Sequence, residues 1–287
     1  MILVDMNQIS LASVMMHLNM TKADKVDESM VQHMILNSLR MYRQRFIEEY
    51  GELIICYDSK HYWRRDYFPN YKKNRKKVRD DSGHDWDDIF ECLNNIKEEM
   101  IEYMPYHVLE VYGAEADDII YTLVHEFEHD NGKTLILSGD KDFIQLQQYP
   151  NVTQYSPITK KFVNGEDPCR YLAEHILKGD ASDGVPNVLS PDNTFVDGLR
   201  QRPLSKKKID SWIDNKETIG FVLPNNETIR NFQRNEKLID LTKVPHDLFI
   251  EIVKAYCNRP KNNGRAKILS YFIDKRLKNL MECIGDF

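Results

Sequence analysis

The sequence contains few cysteines and no long apolar run. Its five cysteines are an odd number, lie far apart and form no Cys-x-x-Cys pair, which argues against a disulfide framework or a zinc site. No apolar stretch approaches the roughly 18 residues of a membrane span, and Asp5 interrupts the first apolar run too early for a signal peptide. We therefore expect a cytoplasmic protein with reduced cysteines and no membrane partner.

Glycine and proline are also scarce, at 12 and 11 of 287 residues, which excludes collagen-like and low-complexity classes. With 41% hydrophobic and 29% charged residues, the composition is that of a globular protein rather than a disordered chain. The length allows one large domain or two smaller ones.

Acidic residues outnumber basic ones overall, but positive charge is concentrated in one segment. The net charge is −6, yet residues 60–79 hold nine basic residues and the single acid Asp66. The basic residues are Lys60, Arg64, Arg65, Lys72, Lys73, Arg75, Lys76, Lys77 and Arg79. Five aromatic residues lie among them, and cations mixed with flat rings are typical of a single-stranded nucleic-acid contact. The alternative is a solvated charged helix. Two further basic groups, Lys206–Lys208 and residues 259–278, either contact duplex backbone or are plain surface.

Short apolar runs predict the strands of a sheet. Residues 2–4, 53–57 and 134–137 are continuous apolar stretches, which is typical of buried parallel strands. Apolar residues at helical spacing lie between them, and helix and strand alternate to about residue 147. Residues 152–155 and 161–163 predict a hairpin, whereas the chain after 165 predicts helices and loops.

The fold class expected is therefore α/β: a mostly parallel sheet flanked by helices over residues 1–165, with a smaller helical lobe over 166–287. Within the first part, residues 107–111 predict a further strand and residues 117–128 a helix. The helix containing residues 89–103 is expected to start near the capping residues at 80–82.

Acidic residues follow the three predicted central strands. Asp5, Asp58 and Asp140 come at or just after the strand ends, and ligands of an open parallel sheet bind beyond those ends. Further acids are Glu115, Asp117 and Asp118 in GAEADDII, Asp142 in SGDKDF, and Asp180 and Asp183 in GDASDGVPNV. Each acid alone is explained as a helix cap or turn former. Together they would raise each other's pKa unless cations neutralised them, and an all-oxygen set favours Mg²⁺ or Mn²⁺ over zinc.

This combination predicts a metal-dependent nuclease, in which two Mg²⁺ ions hold a phosphodiester and nearby Lys and Arg side chains neutralise its charge. A haloacid-dehalogenase-like phosphatase with Asp5 as nucleophile is the first alternative, but it needs an acid where this chain has Asn7. The second alternative is a nucleic-acid-binding scaffold without activity. The intact acid set argues against it, because acids weaken polyanion binding unless metals are bound.

The stretches GAEADD, SGDKDF and GDASDGVP resemble the signatures of the structure-specific 5' nuclease family, which includes flap endonucleases and the 5' nuclease domain of bacterial DNA polymerase I. The likeness is greatest to phage members of that family. It extends nearly end to end, from LVDMNQ through YWRRDY and YKKNR to KILSYF and GDF.

The resemblance implies two metal clusters, a basic arch over the active site at about residues 60–88, and a duplex-binding second domain over 166–287. A first set of metal ligands would be Asp5, Asp58, Glu115, Asp117 and Asp140, with Asp118 beside them, and a second set would be Asp142, Asp180 and Asp183. Lys72 and Arg75 would lie near the scissile phosphate and act in catalysis with Asp117 and Asp140. Nucleic-acid contacts would come from Arg64, Arg65, Lys72, Lys73, Arg75, Lys76, Lys77, Arg79, Lys206, Lys207 and Lys208.

The activity implied is that of a 5' to 3' exonuclease and flap endonuclease on RNA–DNA and DNA–DNA duplexes, using two Mg²⁺ ions for which Mn²⁺ substitutes. In a phage, this activity removes RNA primers from lagging-strand fragments. A sliding clamp and a single-strand DNA-binding protein are the partners implied, and a monomer is expected.

One stretch departs from the family pattern. After GDASDGVPNV, many members continue with a Gly-x-Gly-x-Lys hairpin that holds duplex DNA, whereas this chain has LSPDNTF. We expect Lys206–Lys208 and the C-terminal basic region to replace the hairpin electrostatically.

Overall fold

The structure, a computed structural model, describes residues 1–128, 132–215, 222–258 and 265–287. Six strands form one sheet: β1 (Ile2–Asp5), β2 (Leu53–Cys56), β3 (His107–Leu109), β4 (Thr134–Leu137), β5 (Val152–Ser156) and β6 (Lys161–Val163). Their order is β3-β2-β1-β4-β5-β6, and neighbours are parallel except in the β5–β6 hairpin. The predicted fold class and hairpin are confirmed.

Helices connect and cover the strands. In the first half of the chain they are Met6–Thr21, Glu28–Tyr50, Trp63–Tyr67, Asn74–Asp81, Trp86–Tyr103 and Ala116–Glu126, with the 3₁₀ helix Lys141–Gln148 after β4. The helices described in the second half are Pro168–Lys178, Lys206–Ile213, Asn226–Ile239, His246–Cys257, Arg265–Asp274 and Lys278–Met281, with short 3₁₀ helices at Leu241–Lys243 and Ile284–Asp286. No helix in the described ranges is both long and apolar enough to cross a membrane.

The sheet has an apolar core on each face, because successive side chains of a strand point to opposite sides. In β1, Ile2 and Val4 pack in one core with residues of helix Glu28–Tyr50, whereas Leu3 packs in the other with helix Ala116–Glu126. Burial on both faces explains why the strands are continuously apolar rather than alternating.

The last helices of the chain complete these two cores. Ile268 and Phe272 belong to the same core as Ile2, whereas Leu248 and Ile252 belong to the core that contains Leu3. The helical second half therefore shares its apolar interior with the sheet.

One helix begins later than its sequence predicts. The structure starts helix Trp86–Tyr103 at Asp85, whose side chain accepts a hydrogen bond from the Asp88 backbone N–H. The predicted capping residues at 80–82 instead end a separate short helix, Asn74–Asp81. Asp85 is the better cap because only its side chain lies next to the free N–H groups of the first turn.

Candidate active site

Three acids lie together at the carboxyl ends of the central strands. Asp5 ends β1, and Asp58 and Asp140 follow β2 and β4, the two strands that flank β1. The Asp5 carboxylate accepts a hydrogen bond from the Ser138 hydroxyl (2.8 Å), and Asp58 accepts one from the Ala116 backbone N–H (2.7 Å). The sheet thus brings acids that are distant in sequence to one edge.

Glu115 and Asp117 join these acids from the start of helix Ala116–Glu126. Glu115 is the N-cap residue and is buried. Burial, and then the charges of Asp140 and Asp5, raise the pKa of Asp117 well above its ordinary value. The five residues of the first set are therefore neighbours in the structure.

The first set carries negative charge that the protein compensates only in part. Burial, and then the charges of Asp58 and Asp140, raise the pKa of Asp5 to about 7. Burial and the neighbouring Asp142 raise the pKa of Asp140 to about 6. Crowded, desolvated carboxylates of this kind bind hard divalent cations, which restore the charged form. The donor set therefore fits Mg²⁺ or Mn²⁺.

The second set lies beside the first on two other elements. Asp142 is in the first turn of the 3₁₀ helix Lys141–Gln148, and Asp180 and Asp183 are in the turn after helix Pro168–Lys178. Burial raises the pKa of Asp140 most, and the charges of all three residues of the second set raise it further. The second set therefore lies next to the first.

Two glycines shape the turn that carries Asp180 and Asp183. Gly179 has a φ of +67°, and a Cβ there would lie 2.4 Å from the Val185 carbonyl oxygen. Gly184 has a φ of +72°, and a Cβ there would lie 3.1 Å from the Asn70 carbonyl oxygen. Glycine is therefore required for the turn to pack against the basic segment.

Lys72 and Arg75 come from this basic segment and contact both acidic sets. Lys72 Nζ lies 2.5 Å from Glu115 Oε1 and 3.7 Å from Asp183 Oδ2, and Arg75 donates a hydrogen bond to Asp183. Although burial raises the pKa of Asp183, the charges of Lys72 and Arg75 outweigh it and hold that pKa below its ordinary value. The phenol of Tyr71 also donates to Asp183 (2.7 Å).

Arg64 and Asp118 do not occupy the positions predicted for them. Their side chains are 2% and 0% exposed, and Arg64 Nη1 lies 2.8 Å from Asp118 Oδ1 and 2.9 Å from Glu115 Oε2. The indole N–H of Trp63 donates to Asp118 Oδ2 (3.2 Å), and Arg64 Nε donates to the Leu238 carbonyl oxygen (2.9 Å). A guanidinium buried in this way cannot contact nucleic acid. The Asp118 carboxylate is taken up by Arg64, by the Trp63 indole and by the Glu115 backbone N–H, so it serves the internal structure. The predicted roles of these two residues are replaced by an internal ion pair.

The remaining predicted nucleic-acid contacts lie at the surface. Arg65, Lys73, Lys76 and Lys77 are exposed, Arg79 is half-buried, and Lys206, Lys207 and Lys208 are exposed at the start of helix Lys206–Ile213. Among the described residues, no ion pair joins Lys206–Lys208 to either acidic set.

The segment that replaces the family hairpin, residues 189–195, forms turns held by helix Asn226–Ile239. The Asn231 side chain donates to the carbonyl oxygens of Val188 (3.0 Å) and Ser190 (3.2 Å), and Arg234 pairs with Asp192. Part of the C-terminal basic region, residues 259–264, lies outside the described residues.

His175 is a residue of this site that sequence reasoning missed. Its Nε2 lies 3.2 Å from Asp142 Oδ1. His175 was missed even though it lies only four residues before the GDASDGVP motif. Burial lowers the pKa of His175, but the neighbouring carboxylates, Asp142 first, raise it by more. The signal available in the sequence is the position of His175 one turn before Gly179, which ends the helix.

Acids at the carboxyl edge of a parallel sheet, with cations held against them, suit a metal-dependent phosphodiester hydrolase. Residues 1–172 match the family of 5'-3' exonuclease N-terminal, resolvase-like domains, and residues 169–287 match the T4 RNase H C-terminal domain. The chain belongs to the 5'-3' exonuclease family and is a nuclease.

Individual relatives agree with this assignment and confirm the resemblance to 5' nucleases. The chain is 36% identical to the Ribonuclease H of Enterobacteria phage T4 over 296 residues, which cover 99% of this chain and 95% of the relative. It is 29% identical to the flap endonuclease Xni of Shewanella oneidensis over 135 residues, covering 44% of this chain and 48% of the relative.

Solved structures show the same fold. The bacteriophage T5 flap endonuclease, in a complex with DNA and metal ions, has a TM-score of 0.65 at 18% identity and covers 88% of this chain and 96% of that chain. The T5 5'-exonuclease with bound divalent metal ions (zinc) also has a TM-score of 0.65 at 18% identity, covering 88% of this chain and 97% of that chain.

Proposed function

We propose that the protein is a metal-dependent 5' to 3' exonuclease and flap endonuclease that acts on RNA–DNA and DNA–DNA duplexes and removes RNA primers during phage DNA replication. The observation that carries this proposal is the pair of acidic sets with Lys72 held between them. The names of the relatives, a ribonuclease H and a flap endonuclease, support the substrate classes.

The two acidic sets would each hold a divalent cation, Mg²⁺ with Mn²⁺ as a substitute. When bound, such ions supply an activated water and stabilise the charge that develops on the phosphodiester oxygens. Among the candidate ligands, Asp117 and Asp140 would be the catalytic acids: Asp140 lies next to the second set, and Asp117 lies next to Asp140.

Lys72 and Arg75 would bind the phosphate to be cleaved. Without substrate, their charges are directed at Glu115 and Asp183. Cations bound at the acids would take over that neutralisation and leave Lys72 and Arg75 free to stabilise negative charge on the phosphate.

A groove beside Asp58 supports binding of a single-stranded 5' end. It has a volume of about 1050 Å³ and is lined by cations and aromatic rings, among them Arg75, Arg79, Trp86 and Phe90. Arg79 lies 5.9 Å from the centre of the Trp86 ring, and an aromatic face with an adjacent cation suits an unpaired base and its phosphate.

Duplex binding would use the exposed Lys206–Lys208 cluster in place of the missing hairpin. Reversing these three charges to Glu should weaken duplex binding and reduce the slope of log affinity against log salt by about 0.9 for each phosphate that the cluster no longer neutralises. An unchanged salt slope would remove the cluster from the duplex interface. Reversal of two exposed lysines, Lys22 and Lys25, on the turn after helix Met6–Thr21, is the control.

The test of the function is cleavage of two labelled substrates, an RNA primer annealed to DNA and a DNA duplex with a 5' flap, in Mg²⁺ and then in EDTA. We expect both substrates to release short products that carry the 5' label, and we expect EDTA to abolish these products. A substrate labelled at the 3' end of the same strand fixes the polarity, because it should yield a ladder of shortening products. Tight binding without any cleavage would overturn the proposal and leave a nucleic-acid-binding scaffold.

A further inference from the structure

His175 completes a group of three potential metal ligands in the second set. Its Nε2 lies 3.2 Å from Asp142 Oδ1 and 3.9 Å from Asp180 Oδ2, and one ligand atom from each of the three lies within 4.8 Å of the others. A single ion at the centre of such a group reaches all three atoms after small side-chain movements, because metal–ligand bonds to nitrogen and oxygen are about 2.0–2.2 Å long.

The local structure fixes the imidazole in this position. His175 is in the last turn of helix Pro168–Lys178, and its ring stacks on Tyr171 one turn earlier, with ring centres 5.8 Å apart and planes at 14°. The helix stops at Gly179, so Asp180 turns back toward the ring. His175 at the end of the helix and Asp180 in the turn after it thus place a nitrogen and an oxygen close together.

The nitrogen that faces the acids lies at ion-pair distance from their carboxylates but has no aligned hydrogen bond. This nitrogen, His175 Nε2, is also buried. A polar atom that is buried without a hydrogen bond is costly unless it has another partner. A metal ion is the partner that also neutralises the adjacent carboxylates.

We propose that His175 is a ligand of the cation held by the second set, together with Asp142 and Asp180. The first set offers oxygen ligands alone, whereas the second would be a mixed nitrogen and oxygen site. Imidazole is a better ligand for first-row transition ions than for Mg²⁺, so the two sites would differ in metal preference. The inference rests on the proposed function, which places a cation at the second set.

Binding of Mn²⁺ to the full-length protein without nucleic acid tests the proposal independently of activity. The loss of the free-ion electron paramagnetic resonance signal counts the bound Mn²⁺, and electron spin-echo modulation detects a directly bound imidazole nitrogen. We expect nitrogen modulation in the unmodified protein, a changed pattern after ¹⁵N-histidine labelling, and loss of the modulation in His175→Gln. One Mn²⁺ site should weaken roughly tenfold in this variant, with less change for Mg²⁺.

His125→Gln is the matched control, since His125 is an exposed histidine of helix Ala116–Glu126 that contacts Tyr149 (3.1 Å) rather than the acids. It should keep the nitrogen modulation. If His175→Gln folds poorly, the ¹⁵N-labelled unmodified protein still shows whether a histidine binds the ion, and among the described residues the histidine grouped with these acids is His175.

The outcomes separate the inference from the function it rests on. Mn²⁺ bound with no nitrogen modulation, or with modulation that persists in His175→Gln, would overturn the role of His175 and leave the proposed nuclease intact. No Mn²⁺ bound by the unmodified protein at millimolar concentrations would overturn both.

Discussion

The two acidic sets differ in how the protein balances their charge. The first set lies on the ends of buried strands and at a helix start, and within it the pKa of Asp5 is raised by burial and by Asp58. The second set lies on a turn and a 3₁₀ helix. Burial and then Asp183 raise the pKa of Asp180 there too, but Lys72 and Arg75 overcome the effect of burial and lower the pKa of Asp183. The same residue type therefore has opposite pKa shifts a short distance apart.

Buried carboxylates are thus stabilised in two ways, by cations of the protein itself or by a bound divalent ion. The basic segment supplies cations of the protein to Asp183, whereas Asp5, Asp117 and Asp140 gain most from a bound divalent ion. We therefore expect the first set to depend more strongly on metal, and the second set to depend on the position of the basic segment. Four predictions test this comparison.

The largest effect is expected for Asp140→Asn, which removes a charge from the point where the sets meet. The Asn side-chain oxygen can still accept the hydrogen bond that Asp140 Oδ1 receives from the Asp142 N–H (3.0 Å), so the fold should persist. Cleavage should fall about a thousandfold or more, with substrate binding retained. Single-turnover cleavage and a binding titration measure the two effects, and Asp24→Asn, in an exposed turn, is the control. Full activity in Asp140→Asn would remove this acid from catalysis.

The next effect concerns Arg64, the buried cation of the first set. Arg64→Met leaves Glu115 and Asp118 without their shared partner and should lower the free energy of unfolding by about 3–5 kcal/mol. Arg65→Met, at the exposed neighbouring position, should change it by no more than about 0.5 kcal/mol. Urea unfolding of both variants provides the measurement. Equal losses would contradict the internal role of Arg64.

Lys72→Met tests the cation that connects the sets. Because Lys72 contacts both Glu115 and Asp183, its loss should slow cleavage about a hundredfold while the number of bound Mn²⁺ ions stays the same. Lys25→Met, at an exposed position outside the basic segment, should cleave at close to the normal rate. A loss of bound Mn²⁺ in Lys72→Met would show that Lys72 maintains the metal sites rather than acting on substrate.

The smallest effect is a dependence of stability on pH and metal. The pKa values of Asp5 and Asp140 are raised to about 7 and about 6 in the folded chain, so the folded state binds more protons than the unfolded state between about pH 4 and pH 7. The contribution of these groups to stability is complete below about pH 4 and is lost as the pH rises through that window. Mg²⁺ should reverse the loss, so the difference in Tm between Mg²⁺ and EDTA should grow by several degrees from about pH 5 to about pH 8.

Asp5→Asn should flatten this increase, since its side chain does not titrate. Unfolding followed by circular dichroism at each pH gives the two Tm values. A difference that stays constant with pH would contradict the assignment of the raised pKa values to the first set.

Much of this arrangement could be predicted from local sequence. Continuous apolar runs predict β1, β2 and β4, and the acids directly after them converge because parallel strands present their carboxyl ends at one edge. The hairpin β5–β6 was also predictable from its short strands and intervening turn. The predicted start of helix Trp86–Tyr103 was wrong, because several capping residues precede it and only the three-dimensional path of the chain selects Asp85.

Individual side-chain roles were less predictable where partners are distant. Arg64 lies in a basic segment that favours nucleic-acid binding, but Leu238, far along the chain, accepts from its guanidinium and helps to bury it. Asp118 differs from Asp117 in side-chain direction, since adjacent residues on a helix point about 100° apart. His175 has no motif of its own and meets Asp142 only through packing of the Pro168–Lys178 helix.

The sequence by itself determined the order of strands and helices, the acids at the strand ends and the excess of cations in one segment, because these depend on short-range periodicity and composition. Tertiary structure alone decided which charges are buried and paired. Burial and the distance between charges set the pKa of a carboxylate, and both depend on residues such as Lys72 and Asp183 that meet only when the basic segment packs on the GDASDGVP turn.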